Sequence, residues 1–325
     1  MEGQKQLFEV IKSKISPQYR LADVIEDLLG VSADSAYRRI SGKKELSFSE
    51  LQKICEKFTL SMDEILNYKS RQGALFDYVP INFLDQNAYV DYLKRLSDGM
   101  TILKSAPDKD ISFTAQDIPF YHFSKYPELT FFKLYAWNDS IIREPVSYHD
   151  FCRHLDKDRI MSVFEQIHNS YMAIPSKEIW TSQTIDTILR LLEHYFEIKS
   201  FANKETVFLL LDQLSELIDT IKKYADDGYK GKMETPFSMY VCSVDLENNF
   251  MLFRRGNDLL CRIKLYTINS ITTVNEFLCL EISKWIDDLV SKSIQINCVS
   301  AKERFRFFQS SKNKIEILRN KVEIS

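Results

Sequence analysis

Two helix-start signals, fourteen residues apart, restrict the beginning of the chain to short helices. Ser47 and Glu50 match a capping box, in which each side chain accepts a hydrogen bond from the backbone N–H of the other residue. Ser61 and Glu64 repeat the pattern. Apolar residues stand at the hydrophobic-staple positions around each box: Leu46 with Leu51, and Leu60 with Ile65. Paired signals of this kind predict a small helical domain.

The residues before these two boxes predict three more helices. The first helix fills the chain before Ser16, which we expect to cap a second helix with Pro17 in its first turn. That second helix should stop at Gly30. A third helix is expected to begin after Ser32 and to end near Gly42. The N-terminal segment therefore reads as a five-helix domain.

The length and composition predict a second, larger domain. At about 150 residues per domain, 325 residues correspond to about two domains. Only 8 Gly and 8 Pro, with 13% aromatic residues, leave little room for long linkers or disorder. We place the boundary between residues 1–72 and 73–325, with helices over about 85–232 and a strand-rich part over about 236–325. The predicted fold class is α+β, mostly helical, with a small antiparallel sheet in the larger domain.

The period of the apolar residues gives the elements of this larger domain. An edge strand is expected at 77–84, a helix at 87–104, extended chain from Ile111 to Phe123, a buried helix from Pro127 to Trp137, and three longer helices within 150–226. Three strands follow, in FSMYVCSVD, NFMLFRR and LLCRIKLYT, joined by turns at Glu247-Asn248 and at Gly256-Asn257-Asp258. A helix at 274–291, a short strand IQINCV and a C-terminal helix capped by Ser300 and Glu303 end the chain.

Residues 21–66, LADVIEDLLGVSADSAYRRISGKKELSFSELQKICEKFTLSMDEIL, resemble the helix-turn-helix of the Cro and cI repressor class, also called the XRE type. A helix ends at Gly30, Ser32 caps the next helix after a tight turn, and Gly42 closes that helix before a short basic loop. The resemblance covers about a fifth of the chain. It implies an N-terminal DNA-binding domain that reads double-stranded DNA with the helix from Ser32 to Ser41.

Two features of this segment depart from the pattern of the class. Arg39 stands where an apolar residue is common. The helix before the turn is acidic, with Asp23, Glu26 and Asp27.

The physical character of the third helix agrees with DNA recognition. If Ala36 and Ile40 turn inward, the outward residues fit the major groove, with Arg39 on the flank. Arg38 can donate two bonds to a guanine, whereas Lys43 and Lys44 suit backbone phosphates. The residues predicted to contact DNA are Ser32, Asp34, Ser35, Tyr37, Arg38, Arg39, Lys43 and Lys44.

These observations predict a sequence-specific, DNA-binding transcriptional regulator. Regulators of this class commonly dimerise to read two half-sites, so we expect a homodimer, with residues 73–325 as the regulatory and dimerisation domain. The apolar stripes at 87–103 and 207–224 are either internal packing or a dimer seam. Likewise the aromatic and Met residues of the strand-rich part suit an effector pocket or a plain core. The rival interpretation is a helix-turn-helix module that binds protein or RNA instead.

The chain also resembles bacterial helix-turn-helix regulators with a long C-terminal domain. The likeness rests on a DIPFYHF…PELTFFKLYAW stretch, here Asp117 to Trp137, and implies no known ligand.

Several function classes are excluded from the prediction. No G-x-S-x-G, H-E-x-x-H or Walker-type motif is present, and Gly228 to Lys232 reads as a helix stop, so we expect no enzyme and no cofactor. His149, Cys152 and His154 do not share one helical face, which argues against a metal site. The absence of a long apolar stretch, of a signal sequence and of Cys-x-x-Cys pairs predicts a cytoplasmic protein without membrane association.

Overall fold

The computed structural model divides the chain into two compact units, Met1–Gly73 and Ala74–Ser325, which we call the N-terminal and C-terminal units. The structure describes residues 2–15, 19–58, 60, 73–81, 85–141 and 146–325.

The described part of the N-terminal unit is helical. Its elements are α1 (Glu2–Lys14), α2 (Leu21–Leu29), α3 (Ala33–Ile40) and α4 (Phe48–Phe58). Each helix contributes to one apolar core, which includes Leu7, Ile11, Ile25, Ala36 and Ile54. The first predicted capping box forms, because Ser47 N–H donates to Glu50 Oε2 over 2.9 Å and Glu50 N–H donates to Ser47 Oγ over 3.3 Å. The second box, Ser61 with Glu64, lies outside the described residues.

The start of α2 differs from the predicted one. The described helix begins at Leu21, with Arg20 in an extended conformation before it. Ser16 and Pro17, which were expected to cap and open this helix, lie outside the described residues. The apolar stripe that attaches this helix to the core begins at Leu21.

The C-terminal unit is built on one sheet. Its strands are β1 (Asp77–Tyr78), β2 (Lys109–Ala115), β3 (Ser176–Trp180), β4 (Tyr229–Lys230), β5 (Thr235–Val241), β6 (Phe250–Arg255), β7 (Asp258–Lys264), β8 (Ser270–Thr273) and β9 (Ile294–Gln295). Their order is β1-β8-β7-β6-β2-β3-β5-β4, with β9 paired to β5. The β2–β3 and β3–β5 pairs are parallel and the others are antiparallel.

Helices cover both faces of this sheet. They are α5 (Gln86–Ser105), a 3-10 helix (Phe120–Lys125), α6 (Pro127–Asp139), α7 (Tyr148–His154), α8 (Lys157–Tyr171), α9 (Asp186–Glu197), α10 (Lys204–Asp227), α11 (Glu276–Ser291) and α12 (Ala301–Ile324). On one face α11 packs Cys279, Ile282, Ile286 and Leu289 over β6 and β7. A larger apolar core, which includes the fully buried centre of α6, forms separately from that cluster. The described structure therefore confirms an α+β fold that is mostly helical.

The sheet differs from the predicted one in its centre. FSMYVCSVD and NFMLFRR were expected to form a hairpin, but β2 and β3 lie between β5 and β6. Both inserted strands come from the region assigned to helices, so 85–232 and 236–325 do not separate into a helical part and a strand-rich part. The sequence SKEIW does not predict β3, because Lys177 and Glu178 break the apolar alternation of a buried strand.

Helix packing decides whether the apolar stripes of α5 and α10 lie inside the unit or at a dimer seam. The apolar stripe of α5 packs against α8 and that of α10 packs against α12, so both stripes are internal. Neither stripe is therefore free to form a dimer seam.

The third capping box does not form, because Ser300 adopts a left-handed conformation (φ 56°) and makes no side-chain cap bond. Glu303 pairs with Arg306 instead.

No helix in the described part of the chain combines the length and the apolar character that crossing a membrane requires.

Candidate nucleic-acid interface

A tight turn joins α2 to α3. Gly30 ends α2 in the left-handed region (φ 63°), and its N–H donates to the Glu26 carbonyl over 2.9 Å. Glycine suits this position because it has no Cβ to clash. Two residues later, Ser32 Oγ accepts the Ser35 N–H over 3.4 Å and caps α3. The predicted helix end and helix start are both confirmed.

The inner side of α3 fixes which residues face solvent. Ala36 is fully buried and Ile40 packs partly buried on the same core, as predicted. Asp34, Tyr37 and Arg38 are exposed, with 55% of the Tyr37 surface accessible. The outer face of α3 therefore carries an acid, a phenol and a guanidinium on a helix narrow enough for the major groove.

Arg39 lies on the inner side and not on the predicted contact surface. It is only 4% exposed, although it is a cation on a short surface helix. Its guanidinium donates to the Ser35 carbonyl over 3.1 Å, to the Ser35 hydroxyl, and to Glu50 Oε1 over 2.5 Å. Those bonds use the side chain within the domain, so Arg39 positions α3 against α4.

Glu50 links this contact to the capping box of α4. Its Oε1 receives Arg39 while its Oε2 receives the Ser47 N–H. The Arg39 hydrogen bond holds the pKa of the Glu50 carboxyl below its usual range. The sequence pattern identified Glu50 as a cap residue but gave no sign of its second partner.

Gln4, on α1, holds the basic loop after α3. Its amide donates to the Arg39 carbonyl over 2.7 Å and to the Lys44 carbonyl over 2.8 Å, and its oxygen accepts the Leu46 N–H over 3.2 Å. A single Gln in an amphipathic helix carries no sequence signal for this role. The loop is thus fixed at both of its ends by side-chain to backbone bonds.

Four cations gather around this loop. Arg38, Lys43 and Lys44 are exposed, as predicted. Lys5, which the sequence analysis missed, passes beside Gly42, where a Cβ would lie 3.7 Å from its Cε. No ion pair joins these four side chains to an acid within the described ranges. Their charges are therefore available to an anionic partner.

The predicted contact set divides into two groups. Asp34, Tyr37, Arg38, Lys43 and Lys44 share the exposed side formed by α3 and the following loop, whereas Ser32, Ser35 and Arg39 make bonds within the domain. Outside this side, Asp23 and Asp27 are exposed on α2 and Glu26 is partly buried.

His149, Cys152 and His154, which the sequence analysis considered as metal ligands, lie on α7. His154 Nδ1 hydrogen-bonds the Asp150 carbonyl over 2.7 Å, one turn earlier in the same helix. Among the described residues, no group of three or more His, Cys, Asp or Glu side chains could hold a metal ion.

Comparison with known proteins bears on the helical N-terminal region. Residues 7–90 match the family model of the BetR domain, a family of helical, DNA-binding-like domains. The match contains all of α2, α3, the basic loop and α4, and it continues past Gly73 into the first turn of α5. Neither the curated proteins nor the solved structures include a match to this chain. The N-terminal region is thus similar to the BetR domain, and its place in the XRE class remains a prediction.

Proposed function

We propose that the protein is a sequence-specific DNA-binding transcriptional regulator that inserts α3 into the major groove. The observation that carries this proposal is the cationic surface formed by α3 and its loop, where Arg38, Lys43, Lys44 and Lys5 have no acidic partner among the described residues. In this proposal Arg38 would donate two bonds to a guanine, and the lysines would bind backbone phosphates. The similarity to the BetR domain supports the same role.

The acidic surface of α2 bears on how the domain would dock. In helix-turn-helix proteins the helix before the recognition helix crosses the DNA backbone. Asp23 and Asp27 are exposed on α2 and would repel phosphates there. We therefore propose that Lys5, Lys43 and Lys44, and not α2, supply most of the phosphate contacts.

The regulator would act as a homodimer on an inverted repeat, because one small domain contacts few phosphates. An outward face of α11 offers a surface for a second copy, since Phe277 and Leu280 are each about half exposed. The C-terminal unit would then dimerise and regulate, and we propose no catalytic role for it. We also propose a cytoplasmic location, where bacterial DNA is found.

A second candidate is a protein- or RNA-binding module of the same shape. It is favoured by exposed aromatic side chains in the N-terminal unit, among them Tyr37 and Phe48, of which Phe48 is 78% accessible. Salt separates DNA binding from binding to a protein. Binding to DNA through phosphates weakens steeply with ionic strength, with a slope of about 0.9 per phosphate contacted.

The experiment is selection of bound fragments from a genomic DNA library with the purified full chain, followed by salt titration on the recovered site. We expect a palindromic motif. Arg38→Ala should cost about 1–3 kcal/mol and relax the preference at one base, while Lys43→Ala should weaken all sequences and reduce the salt slope by about 1.

The matched control is Lys57→Ala, which removes one exposed lysine at the far end of α4, about 14 Å from its first residue. It should leave both affinity and slope unchanged. If Arg38→Ala and Lys43→Ala bind DNA as the wild type does, or if Lys57→Ala weakens binding equally, the proposed interface is wrong.

A further inference from the structure

The outer side of α11 carries large apolar side chains in solvent, whereas its inner side packs on β6 and β7. Phe277 is 50% exposed, Leu280 is 53% exposed and Trp285 is 37% exposed. Trp285 is held by Phe250 of β6, with the two ring centres 5.1 Å apart and the rings tilted by 65°. Exposed aromatic and aliphatic side chains that are already anchored in this way are typical of the centre of a protein–protein interface.

Charged side chains lie on the same outer side of α11. Glu281, Lys284 and Asp288 are exposed, and at 100° per residue they fall on the helical face of Phe277 and Leu280. Glu281 and Lys284 are one turn apart, yet neither forms an ion pair within the part of the chain that the structure describes. The outer side of α11 therefore offers an acid and a base, next to its apolar residues, to a partner.

This pattern is complementary to itself. When two α11 helices run antiparallel about a two-fold axis that passes between Ile282 and Ser283, Glu281 faces Lys284 of the second copy. The same axis places Leu280 opposite Trp285 of the second copy. Because a two-fold axis applies each contact twice, such an interface contains two ion pairs and two Leu–Trp contacts.

A parallel arrangement of the two helices has the opposite electrostatic character. Glu281 would face Glu281 of the second copy, and Lys284 would face Lys284. Like charges placed opposite each other across an interface are costly. The charges of α11 therefore favour the antiparallel arrangement.

We propose that the protein self-associates through the outer side of α11, with the helices of two copies antiparallel and centred between Ile282 and Ser283. Glu281 and Lys284 form ion pairs between the copies, and Leu280 packs on Trp285. This inference rests on the homodimer of the proposed function, and it specifies the contact surface, direction and register of that dimer. A pair of helices of 16 residues makes a small interface, so we expect a Kd on the order of micromolar.

The test is sedimentation equilibrium of the full chain without DNA, at concentrations on both sides of the expected Kd. We expect the wild type to pass from monomer to dimer over this range. Glu281→Lys and Lys284→Glu each place like charges opposite each other twice, so each variant should self-associate at least about tenfold more weakly. Both side chains are exposed, and we expect both variants to fold.

A mixture of the two variants tests the register. Glu281→Lys leaves bases at both positions and Lys284→Glu leaves acids at both positions. In the proposed register, a heterodimer of the two variants therefore has opposite charges at both contacts. The equimolar mixture should associate within about threefold of the wild-type Kd, and so should the chain that carries both substitutions.

Glu165→Lys is the matched control, because Glu165 is exposed on α8, which packs against α5 and the 3-10 helix. It makes the same change of charge and should leave the Kd of the wild type unchanged. The inferred interface is wrong if the wild type stays monomeric at about 100 µM, if either single variant dimerises as the wild type does, or if the mixture does not associate.

These results are separate from the test of the proposed function. A dimer that is insensitive to both charge reversals would overturn the α11 interface and leave the homodimer itself in place. Loss of operator binding in Arg38→Ala, with an unchanged dimer Kd, would concern the DNA interface alone.

Discussion

Arg39 in the N-terminal unit and Glu178 in the C-terminal unit are both buried ionisable side chains, but their partners differ in sequence distance and in exposure. The partner of Arg39 is Glu50, eleven residues away, whose side chain is 19% exposed. Glu178 accepts hydrogen bonds from His122 Nε2 over 2.8 Å, from the Tyr171 hydroxyl and from Trp180 Nε1 over 2.8 Å. All three of these donors are buried.

The difference lies in what remains when one partner is removed. Around Arg39, water can reach Glu50 and solvate a carboxylate that has lost its arginine. Around Glu178, the buried His122 and Trp180 donors would lose their acceptor, at a cost of about 1–3 kcal/mol for each group, whereas the Tyr171 hydroxyl also lies 3.1 Å from Ser176 Oγ. We therefore expect the N-terminal unit to tolerate the loss of its buried charge better than the C-terminal unit does.

The pKa values of the two carboxyls agree with this view. Burial raises the pKa of Glu178, but its hydrogen bonds and the charges of neighbouring groups outweigh that effect and hold the pKa below its usual range. Glu50 has a lowered pKa chiefly because of one bond, from Arg39. Both groups therefore contribute stability that is present above pH about 4.3 and is lost as the pH falls through the folded-state pKa.

The largest expected effect follows from Glu178→Gln. A glutamine keeps the volume, but its amide NH₂ cannot accept the Trp180 N–H and it lacks the charge that strengthens the other bonds. We expect a loss of about 3 kcal/mol in the free energy of unfolding. Urea titration followed by tryptophan fluorescence measures it, because Trp137, Trp180 and Trp285 all lie in the C-terminal unit.

Lys177→Gln is the control for that measurement. Lys177 precedes Glu178 on β3, but its side chain is partly exposed and its partner Asp287 is 67% exposed. The expected change is below about 1 kcal/mol. If the two variants lose similar stability, the buried bonds around Glu178 have no special importance.

A smaller effect is expected for Arg39→Met in the N-terminal unit. Methionine fills much of the same space, and the lost bonds to Ser35 and Glu50 should cost about 2 kcal/mol. Hydrogen exchange of the α3 and α4 amides, followed by mass spectrometry, reports this unit directly. Arg38→Met changes an exposed neighbour and should cost less than about 0.5 kcal/mol. Equal exchange in both variants would contradict the positioning role of Arg39.

The two units also differ in how far their sequence predicts them. In the N-terminal unit, Gly30, Ser32 and the Ser47–Glu50 box act within a few residues, so the boundaries of α3 and the start of α4 followed from local chemistry. The exposure of Arg38 followed from helical periodicity, and Lys43 and Lys44 followed from their place in the basic loop after α3. The burial of Arg39 did not, because its acidic partner was already explained as a cap.

In the C-terminal unit the missing information was non-local. The apolar stripes of α5, α8 and α10 predicted those helices, because each of them buries one face, and the aromatic and apolar run PELTFFKLYAW predicted α6 as a buried helix. The place of β3 between β2 and β5 depends on partners up to 65 residues away, such as Trp180 and Val241 at 61. A strand that carries Glu178 inward can be recognised only when its three donors are known.

Lys230 tests whether the buried charge of Glu178 needs a buried cation. Lys230 is fully buried; its Nζ donates to Ser176 Oγ over 2.6 Å and lies 3.0 Å from the centre of the Tyr171 ring. Burial lowers the pKa of this ammonium well below its usual range, in spite of the attraction of Glu178. Between the lowered pKa of Lys230 in the folded chain and pH about 10.4, the folded chain therefore holds fewer protons than the unfolded chain, and this group makes stability rise with pH.

Lys230→Met is accordingly expected to stabilise the C-terminal unit by about 1 kcal/mol at neutral pH, the smallest of the three effects. The gain should shrink as the pH approaches about 10, where the unfolded chain also loses its proton and deprotonation on folding costs less. Urea titrations of variant and wild type at several pH values, again followed by tryptophan fluorescence, give the difference in the free energy of unfolding. The titration of the tyrosines contributes equally to both chains and cancels in that difference. A loss of stability would mean that Lys230 serves as the counter-ion of Glu178, and a gain that does not change with pH would mean that Lys230 stays protonated in the folded chain. The pH-dependent gain would instead mean that the bonds from His122, Tyr171 and Trp180 are enough to keep a carboxylate ionised inside the sheet.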